Sequence, residues 1–393
     1  MDIWVRVLLP IIESLFFLIT AWLVGRFILS KIKAWQSFGL LLQFALSVLV
    51  GYSGLAYLFL ILSFWPPIQS WSIWLICLLI LIIGWRAIKK LILDLSFYFK
   101  KNERLSLIEK ILFLLVIFFF IFYLSSALVP PYRTDALAYH LPEAKQIAEQ
   151  GIFSLGGYGS FFANMPKLME ILYAGLFTAG SFSLIHLVHY QMFLALLVVI
   201  FCFVKKEYDR LGGLLSILGI FTLYELGVNA TNAYVDGAMV AFQIVAALFF
   251  IWWWKNQEKS ILILVGLLFG LAVSVKYLAW YAVVLVGLFW LIKTVLGKKT
   301  WPTILTEVAY LGIPFIIASG FWYFKSWFLV GNPFYPFIFS HQGITEEVFK
   351  SAYVAVWQFI PQTLTNYLLM PFTLFWDPYY ISVLAAFLLV IIG

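Results

Sequence analysis

The sequence predicts an all-α, polytopic transmembrane helical bundle of about 10–12 spans, with a helical first loop outside the cytoplasm. Of the 393 residues, 64% are hydrophobic and only 11% are charged, and the apolar residues occur in long continuous runs. Average soluble domains are about 45–50% apolar and about 25% charged, so a soluble core could not bury this much apolar surface. Runs such as 111–129 and 182–204 are continuous, whereas transmembrane barrels need short alternating strands.

The first three apolar runs, residues 7–29, 38–64 and 73–85, are predicted to cross the membrane in alternating directions. Lys31 and Lys33 follow the first run, and a strongly basic stretch, residues 86–110, follows the third. Cytoplasmic loops are enriched in Lys and Arg, so both places are predicted to be cytoplasmic. The basic stretch is expected to lie along the interface as an amphipathic helix.

The fourth run, residues 111–129, therefore ends on the outer face and leads into the longest polar interruption, residues 130–170. Residues 168–180 are apolar but too short to span comfortably, and residues 182–204 are long enough. If both segments span, the orientation of everything downstream inverts. The basic residues that follow position 204 favour a re-entrant or juxtamembrane helix for the shorter segment.

Later runs alternate in the same way, over 211–228, 237–254, 261–275, 277–292 and 304–324. This alternation places residues 229–236, Lys276 and a third outer segment from Lys325 onward on the outer face. Residues 351–376 could form a further span or an interfacial helix, and the ending inside an apolar run suggests an incomplete C-terminus. We divide the chain into N-terminal membrane helices (1–110), a membrane core (111–339) and a C-terminal segment (340–393).

Composition excludes several classes of function. The net charge of +7 lies in short loops between spans, which indicates membrane topology and not nucleic-acid binding. Cys77 and Cys202 lie inside apolar runs and are expected to be buried thiols without a disulfide or zinc role. No nucleotide-binding, zinc-protease or serine-hydrolase motif occurs in a credible context, which argues against a nucleotide-driven pump.

Asp135 is the main candidate for chemistry in the first outer loop. It follows the fourth span and stands beside Arg133. One interpretation is that Asp135 or Thr134 caps a helix with Pro142 in its second turn. The other is that a carboxylate at the membrane boundary acts as a general base on a hydroxyl or amine.

Asp236 and Lys276 are the other outer-face candidates. Asp236 could be a helix cap, could hold a divalent cation together with Asp135, or could orient an acceptor. Lys276 could snorkel to the interface or bind a phosphate, and Arg133 competes for that phosphate with bidentate geometry.

Three histidines need separate interpretations. His140 lies in the outer loop and could be an acid, a base or a metal ligand. His186 and His189 are three residues apart on an apolar helix, where they could bind a metal, hydrogen-bond to each other or hydrogen-bond to backbone carbonyls. Glu170 could face the same cavity as Asp135 or pair with Lys167.

Five motifs in order carry a resemblance to a known family: TDALAYHLPEAKQIAEQG, MPKLMEILYAG, YVDGAMVAFQIVAALFF, GLAVSVKY and GNPFYPF, spread over residues 127–339. This order resembles the C-type (GT-C) glycosyltransferase superfamily, in particular its bacterial branch of protein mannosyltransferase-like, aminoarabinose transferase-like and galacturonosyltransferase-like enzymes. The resemblance departs in having three extra spans before the catalytic loop, and in an Ala after Asp135 where some members have a second acidic residue.

The resemblance implies an enzyme of a bacterial inner membrane that moves a hexosyl or pentosyl group from a polyprenyl-phosphate-linked donor to a lipid, glycan or protein acceptor. Its catalytic acidic residue corresponds to Asp135, its second acidic residue to Asp236, and its donor-phosphate ligands to Arg133 or Lys276. From its place in the outer loop we also expect His140 to take part in catalysis. We further expect Tyr139, Glu143 and Glu170 to bind substrate, a divalent cation as a candidate cofactor, and no nucleic acid. The alternative is a transporter or flippase of a lipid-linked saccharide, which would place its charges near the bilayer midplane.

Overall fold

The chain folds into a bundle of α-helices without strands over the part described by the computed structural model, residues 3–100, 104–157, 162–339 and 342–349. The described α-helices are α1 (Ile3–Leu29), α2 (Leu40–Leu62), α3 (Ser70–Lys100), α4 (Leu107–Ala127), α5 (Leu141–Gln150), α6 (Leu168–Ala179), α7 (Phe182–Glu207), α8 (Arg210–Phe221), α9 (Tyr224–Ala230), α10 (Asp236–Asn256), α11 (Ser260–Val275), α12 (Trp280–Leu296) and α13 (Trp301–Val330). Short 3₁₀ turns occupy Lys33–Ser37, Ile152–Ser154 and Tyr277–Ala279. The predicted all-α fold is confirmed.

Eight of the described helices are long and apolar enough to cross a membrane, and the bent pair α8–α9 would make nine. The eight are α1, α2, α3, α4, α7, α10, α12 and α13. The two shorter apolar helices, α6 with 12 residues and α11 with 16, are about 18 and 24 Å long, less than the hydrocarbon core of about 30 Å. The further span or interfacial helix expected over 351–376 lies outside the described residues.

Helices α3, α8–α9 and α13 differ from their predicted forms. Residues 86–100 of the basic stretch continue α3 without a break, which makes one helix of 31 residues. The expected straight span over 211–228 is instead bent by 80° between α8 and α9. At the bend, Gly227 approaches Tyr123 so closely that a Cβ there would lie 2.0 Å from the ring. Lys325 does not begin an outer loop, because α13 continues to Val330.

Contacts between helix ends define two ends of the bundle. At one end, which we call the basic end, Arg210 Nε lies 2.5 Å from Glu109 Oε1, and Lys255 Nζ lies 2.6 Å from Glu207 Oε2. These pairs join the starts of α4 and α8 and the ends of α7 and α10. At the other end, His186 Nδ1 lies 3.1 Å from the Val129 carbonyl oxygen. Helices α4, α7, α8 and α10 therefore alternate in direction, as the charge pattern predicted.

Glycines set the closest helix crossings. A Cβ at Gly51 of α2 would lie 1.7 Å from the Ala21 carbonyl oxygen of α1, and one at Gly25 would lie 1.8 Å from the Ser47 carbonyl oxygen. Likewise, a Cβ at Gly266 of α11 would lie 2.0 Å from the Leu311 carbonyl oxygen of α13. Without a hydrophobic driving force between helices in lipid, such close backbone approach is a main source of association. These crossings fix the scaffold that carries the polar residues below.

Candidate active site

Asp135 lies in the first turn of a helical segment that begins at Thr134 and includes a π-helical turn, Ala136–His140, before α5. Pro142 explains the π-helical turn, because its ring lacks an N–H and clashes with the carbonyl four residues earlier in a regular helix. The Asp135 side chain makes no capping hydrogen bond. The capping interpretation is therefore not supported.

Tyr139 contacts the Asp135 carboxylate directly. Its hydroxyl donates a hydrogen bond to Asp135 Oδ2 at 2.9 Å, and its ring stacks on Phe162 at a centroid distance of 4.7 Å. Burial raises the pKa of Tyr139, and the hydrogen bond to Asp135 and the charges of Asp135, Asp236 and Glu170 raise it further. Tyr139 is thus a neutral donor to Asp135, and Asp236 and Glu170 lie near enough for their charges to act on it.

A buried network of charged side chains lies next to Asp135 and Tyr139. His140 Nδ1 lies 2.7 Å from Glu170 Oε1, and Lys167 Nζ lies 2.6 Å from Glu143 Oε2 and 3.7 Å from Glu170 Oε1. His140 and Glu170 are 2% and 1% exposed. The network joins α5, which follows Asp135 in the chain, to α6, so it holds the first outer loop against the bundle.

The two carboxyl groups of the network have opposite pKa shifts. Burial raises the pKa of Glu143, although Lys167 opposes it. Burial would also raise the pKa of Glu170, but Lys167 and His140 together outweigh it and lower the pKa. Glu170 is therefore the anion that the network stabilises.

Asp236 and Lys276 form an ion pair where α10 starts and α11 ends. Lys276 Nζ lies 2.8 Å from Asp236 Oδ1 and 3.1 Å from Oδ2. Their side chains are 29% and 35% exposed, so the pair is reachable from outside the bundle. Asp236 makes no capping hydrogen bond, and Lys276 is held by a carboxylate and does not extend alone to the interface.

The candidate ligands of a divalent cation, Asp135 and Asp236, have other partners among the described residues. Both Asp236 oxygens face the Lys276 ammonium, and the described chain contains no group of three or more His, Cys, Asp or Glu side chains able to hold a metal ion. His186 contacts a backbone carbonyl, as one of its interpretations predicted. His189 packs beside Gly237, where a Cβ would lie 2.8 Å from the His189 ring.

Arg133 and Lys325 are two further basic residues near this end. The Arg133 guanidinium carbon lies 5.6 Å from the Tyr132 ring centroid, and its buried Nε has no hydrogen-bond partner among the described residues. Lys325 is 1% exposed, and its Nζ donates to the Ala163 carbonyl oxygen at 3.2 Å. Lys325 was predicted only as the start of the third outer segment, whereas it follows Ala318 and Trp322 on one face of α13, where all three are buried.

Residues 165–324 match the family model described as dolichyl-phosphate-mannose-protein mannosyltransferase. No curated protein and no solved structure matches the chain. The matched range includes Lys167, Glu170, Asp236 and Lys276 and begins after Asp135. Over this range the chain is similar to a family of membrane glycosyltransferases, which supports the GT-C superfamily that the sequence resembles. The family and the eight apolar helices together support an integral, multi-pass membrane protein.

Proposed function

We propose that this protein is an inverting glycosyltransferase of the bacterial inner membrane. It would transfer a sugar from a polyprenyl-phosphate-linked donor to a lipid, glycan or protein acceptor on the outer face. The observation that carries the proposal is the hydrogen bond from the Tyr139 hydroxyl to the half-buried Asp135 carboxylate, at a position where the charges of Asp236 and Glu170 also act on Tyr139. These ionisable groups lie at one end of the bundle and not at its middle, which favours an enzyme over a transporter.

In the proposed reaction Asp135 is the general base. It would take the proton from an acceptor hydroxyl or amine while the acceptor oxygen or nitrogen attacks the anomeric carbon of the donor sugar. The bond between that carbon and the phosphate oxygen breaks, and polyprenyl phosphate leaves with the electron pair. The Tyr139 hydroxyl would keep the Asp135 carboxylate oriented toward the acceptor.

Lys276 and Arg133 would bind the donor phosphate and balance the charge that grows on it as the sugar leaves. Asp236 would hold the Lys276 ammonium in position through their ion pair. His140, Glu143 and Glu170 would act on the position of the Asp135 loop, because they are largely buried in the network behind it.

The test is a transfer assay on the purified full chain with Asp135→Asn. The donors are undecaprenyl-phosphate-linked mannose, glucose, galacturonic acid and aminoarabinose, a bacterial envelope extract supplies lipid, glycan and protein acceptors, and the measured product is the undecaprenyl phosphate released above the level seen without acceptor. We expect turnover by the wild type with at least one donor and a loss of about 10²–10⁴-fold in the variant, since that is what a general base contributes. Glu207→Gln, which breaks an exposed ion pair at the basic end, should keep wild-type turnover. Equal turnover by Asp135→Asn and wild type would refute the assignment.

A further inference from the structure

A small polar cavity at the basic end is not explained by the proposed transferase. It has a volume of about 60 Å³ and lies between α1, the Lys33–Ser37 turn, α2 and α3. The lining residues that matter here are Trp22, Arg26, Trp35, Gln43, Lys90 and Asp94. All of them precede the range that matches the mannosyltransferase family.

The walls of the cavity are aromatic and fixed. Trp22 and Trp35 are 3% and 6% exposed, and the guanidinium carbon of Arg26 lies 5.8 Å from the Trp22 ring centroid. Gln43 Nε2 donates to the Trp35 carbonyl oxygen at 2.9 Å, which ties the 3₁₀ turn to α2. The cavity is therefore built by packing between four elements and does not depend on a surface loop.

The charges that line the cavity are unbalanced. Arg26 and Lys90 carry two positive charges, Asp94 carries one negative charge, and no ion pair joins them in the described part of the chain. A net charge of +1 is matched by a monoanion such as a phosphodiester. A phosphomonoester or inorganic phosphate carries about −1.5 to −2 at neutral pH and would be repelled by Asp94. Arg suits this ligand because it can donate two parallel hydrogen bonds to phosphate oxygens.

The residues around the cavity indicate that the phosphodiester belongs to a membrane lipid. Arg26 is in the last turn of α1, beside Phe27, which is 68% exposed. On α3, Ile82 and Ile83 precede Lys90 by two turns and are 62% and 83% exposed. Such apolar side chains on spanning helices face lipid, and acyl chains can lie along them while a headgroup enters the cavity.

We propose that this cavity binds the phosphodiester of a membrane glycerophospholipid. Arg26 and Lys90 would contact the phosphate oxygens, and the two indole rings would flank the headgroup. Asp94 would disfavour ligands with a second negative charge on the phosphate.

The experiment measures lipid retention by native mass spectrometry of the detergent-purified full chain. Phosphatidylglycerol is one probe, and diglucosyl diacylglycerol, which has no phosphate, is the other. We expect the wild type to retain one phosphatidylglycerol and to bind it at least tenfold more tightly than the glycolipid. Arg26→Gln combined with Lys90→Gln should weaken phosphatidylglycerol binding at least tenfold. Lys89→Gln is the matched control, because Lys89 is exposed over the Trp85 ring and does not line the cavity.

Lys90→Gln alone keeps the test decisive if the double variant does not fold, because Lys90 is exposed and its replacement leaves the packing intact. It should weaken retention severalfold. The proposal is overturned if the cavity variants retain phosphatidylglycerol as well as Lys89→Gln does, or if the glycolipid binds equally. Displacement of the lipid by millimolar inorganic phosphate would also overturn it, since that result would identify a soluble anion site.

Discussion

At the scale of single residues, the proposed catalysis depends on how Tyr139 orients Asp135. The Tyr139 hydroxyl donates a hydrogen bond to Asp135, and its ring stacks on Phe162. The charges of Asp135, Asp236 and Glu170 all raise its pKa. A hydrogen bond to a charged group contributes about 1.5–3 kcal/mol, so its loss has a measurable effect on how the carboxylate is oriented.

Tyr139→Phe removes that hydrogen bond and keeps the ring stacked on Phe162. We expect kcat for sugar transfer to fall by about tenfold or more, with little change in KM for the donor, because the hydroxyl orients the base and does not touch the donor phosphate. Steady-state kinetics with the lipid-linked sugar measure both constants. A rise in KM at constant kcat would instead place Tyr139 in substrate binding.

The lowered pKa of Glu170 predicts how the stability of the protein depends on pH. Its folded-state pKa is lowered below the usual value of about 4.3, so its contribution to stability is complete above that value and is lost as the pH falls through the lower folded pKa. Glu170→Gln should therefore be destabilised near pH 7, on the order of 3 kcal/mol for a broken buried pair. The difference in Tm between wild type and variant should shrink as the pH falls below about 4.

Glu149→Gln is the control for that experiment, since Glu149 forms an exposed surface pair with Lys145. Its Tm should follow the wild type at every pH. A Tm difference for Glu170→Gln that stays constant between pH 7 and pH 3.5 would contradict a role for the Glu170 charge.

At the scale of elements, the sequence predicted the long apolar helices. It did not predict features that depend on contacts between residues far apart in the sequence. The short length of residues 168–180 was sufficient to predict a helix, α6, shorter than the eight candidate spans, whereas α11 is also shorter than a span although residues 261–275 were predicted to cross. The bend between α8 and α9 depends on the approach of Tyr123, about 100 residues away, to Gly227, and no local pattern signals that contact. The Asp236–Lys276 pair was missed for the same reason, because periodicity does not report which side chains meet across 40 residues.

The close crossing of α1 and α2 predicts that a larger side chain at Gly51 destabilises the bundle. Gly51→Val would place side-chain atoms where the Ala21 carbonyl lies, and the helix backbones would have to separate. We expect a loss of several °C in Tm and loss of lipid retention in the cavity that both helices help to form. Gly287→Val is the control, because a Cβ at Gly287 meets nothing within 4 Å. Equal melting temperatures for the two variants would contradict the close crossing.

At the scale of the whole molecule, the bundle separates two kinds of chemistry. One end carries the Asp135, Glu170 and Asp236 carboxylates with Lys276 and the buried Lys325, and the basic end carries the Glu109–Arg210 and Glu207–Lys255 pairs. This separation was predictable in outline, because charges between apolar runs must lie at helix ends. The burial of Lys325 was not, since α13 continues past the apolar run that marked its expected end.

The most direct test of the proposed transferase site is the structure of the full chain with undecaprenyl phosphate bound. The account predicts the phosphate at the end of the bundle that carries Asp135, with a phosphate oxygen within about 2.7–3.2 Å of Lys276 Nζ or of an Arg133 guanidinium nitrogen. The Asp135 carboxylate should then face the position that the sugar would occupy. A phosphate bound at the basic end, or one that contacts neither Lys276 nor Arg133, would contradict the account.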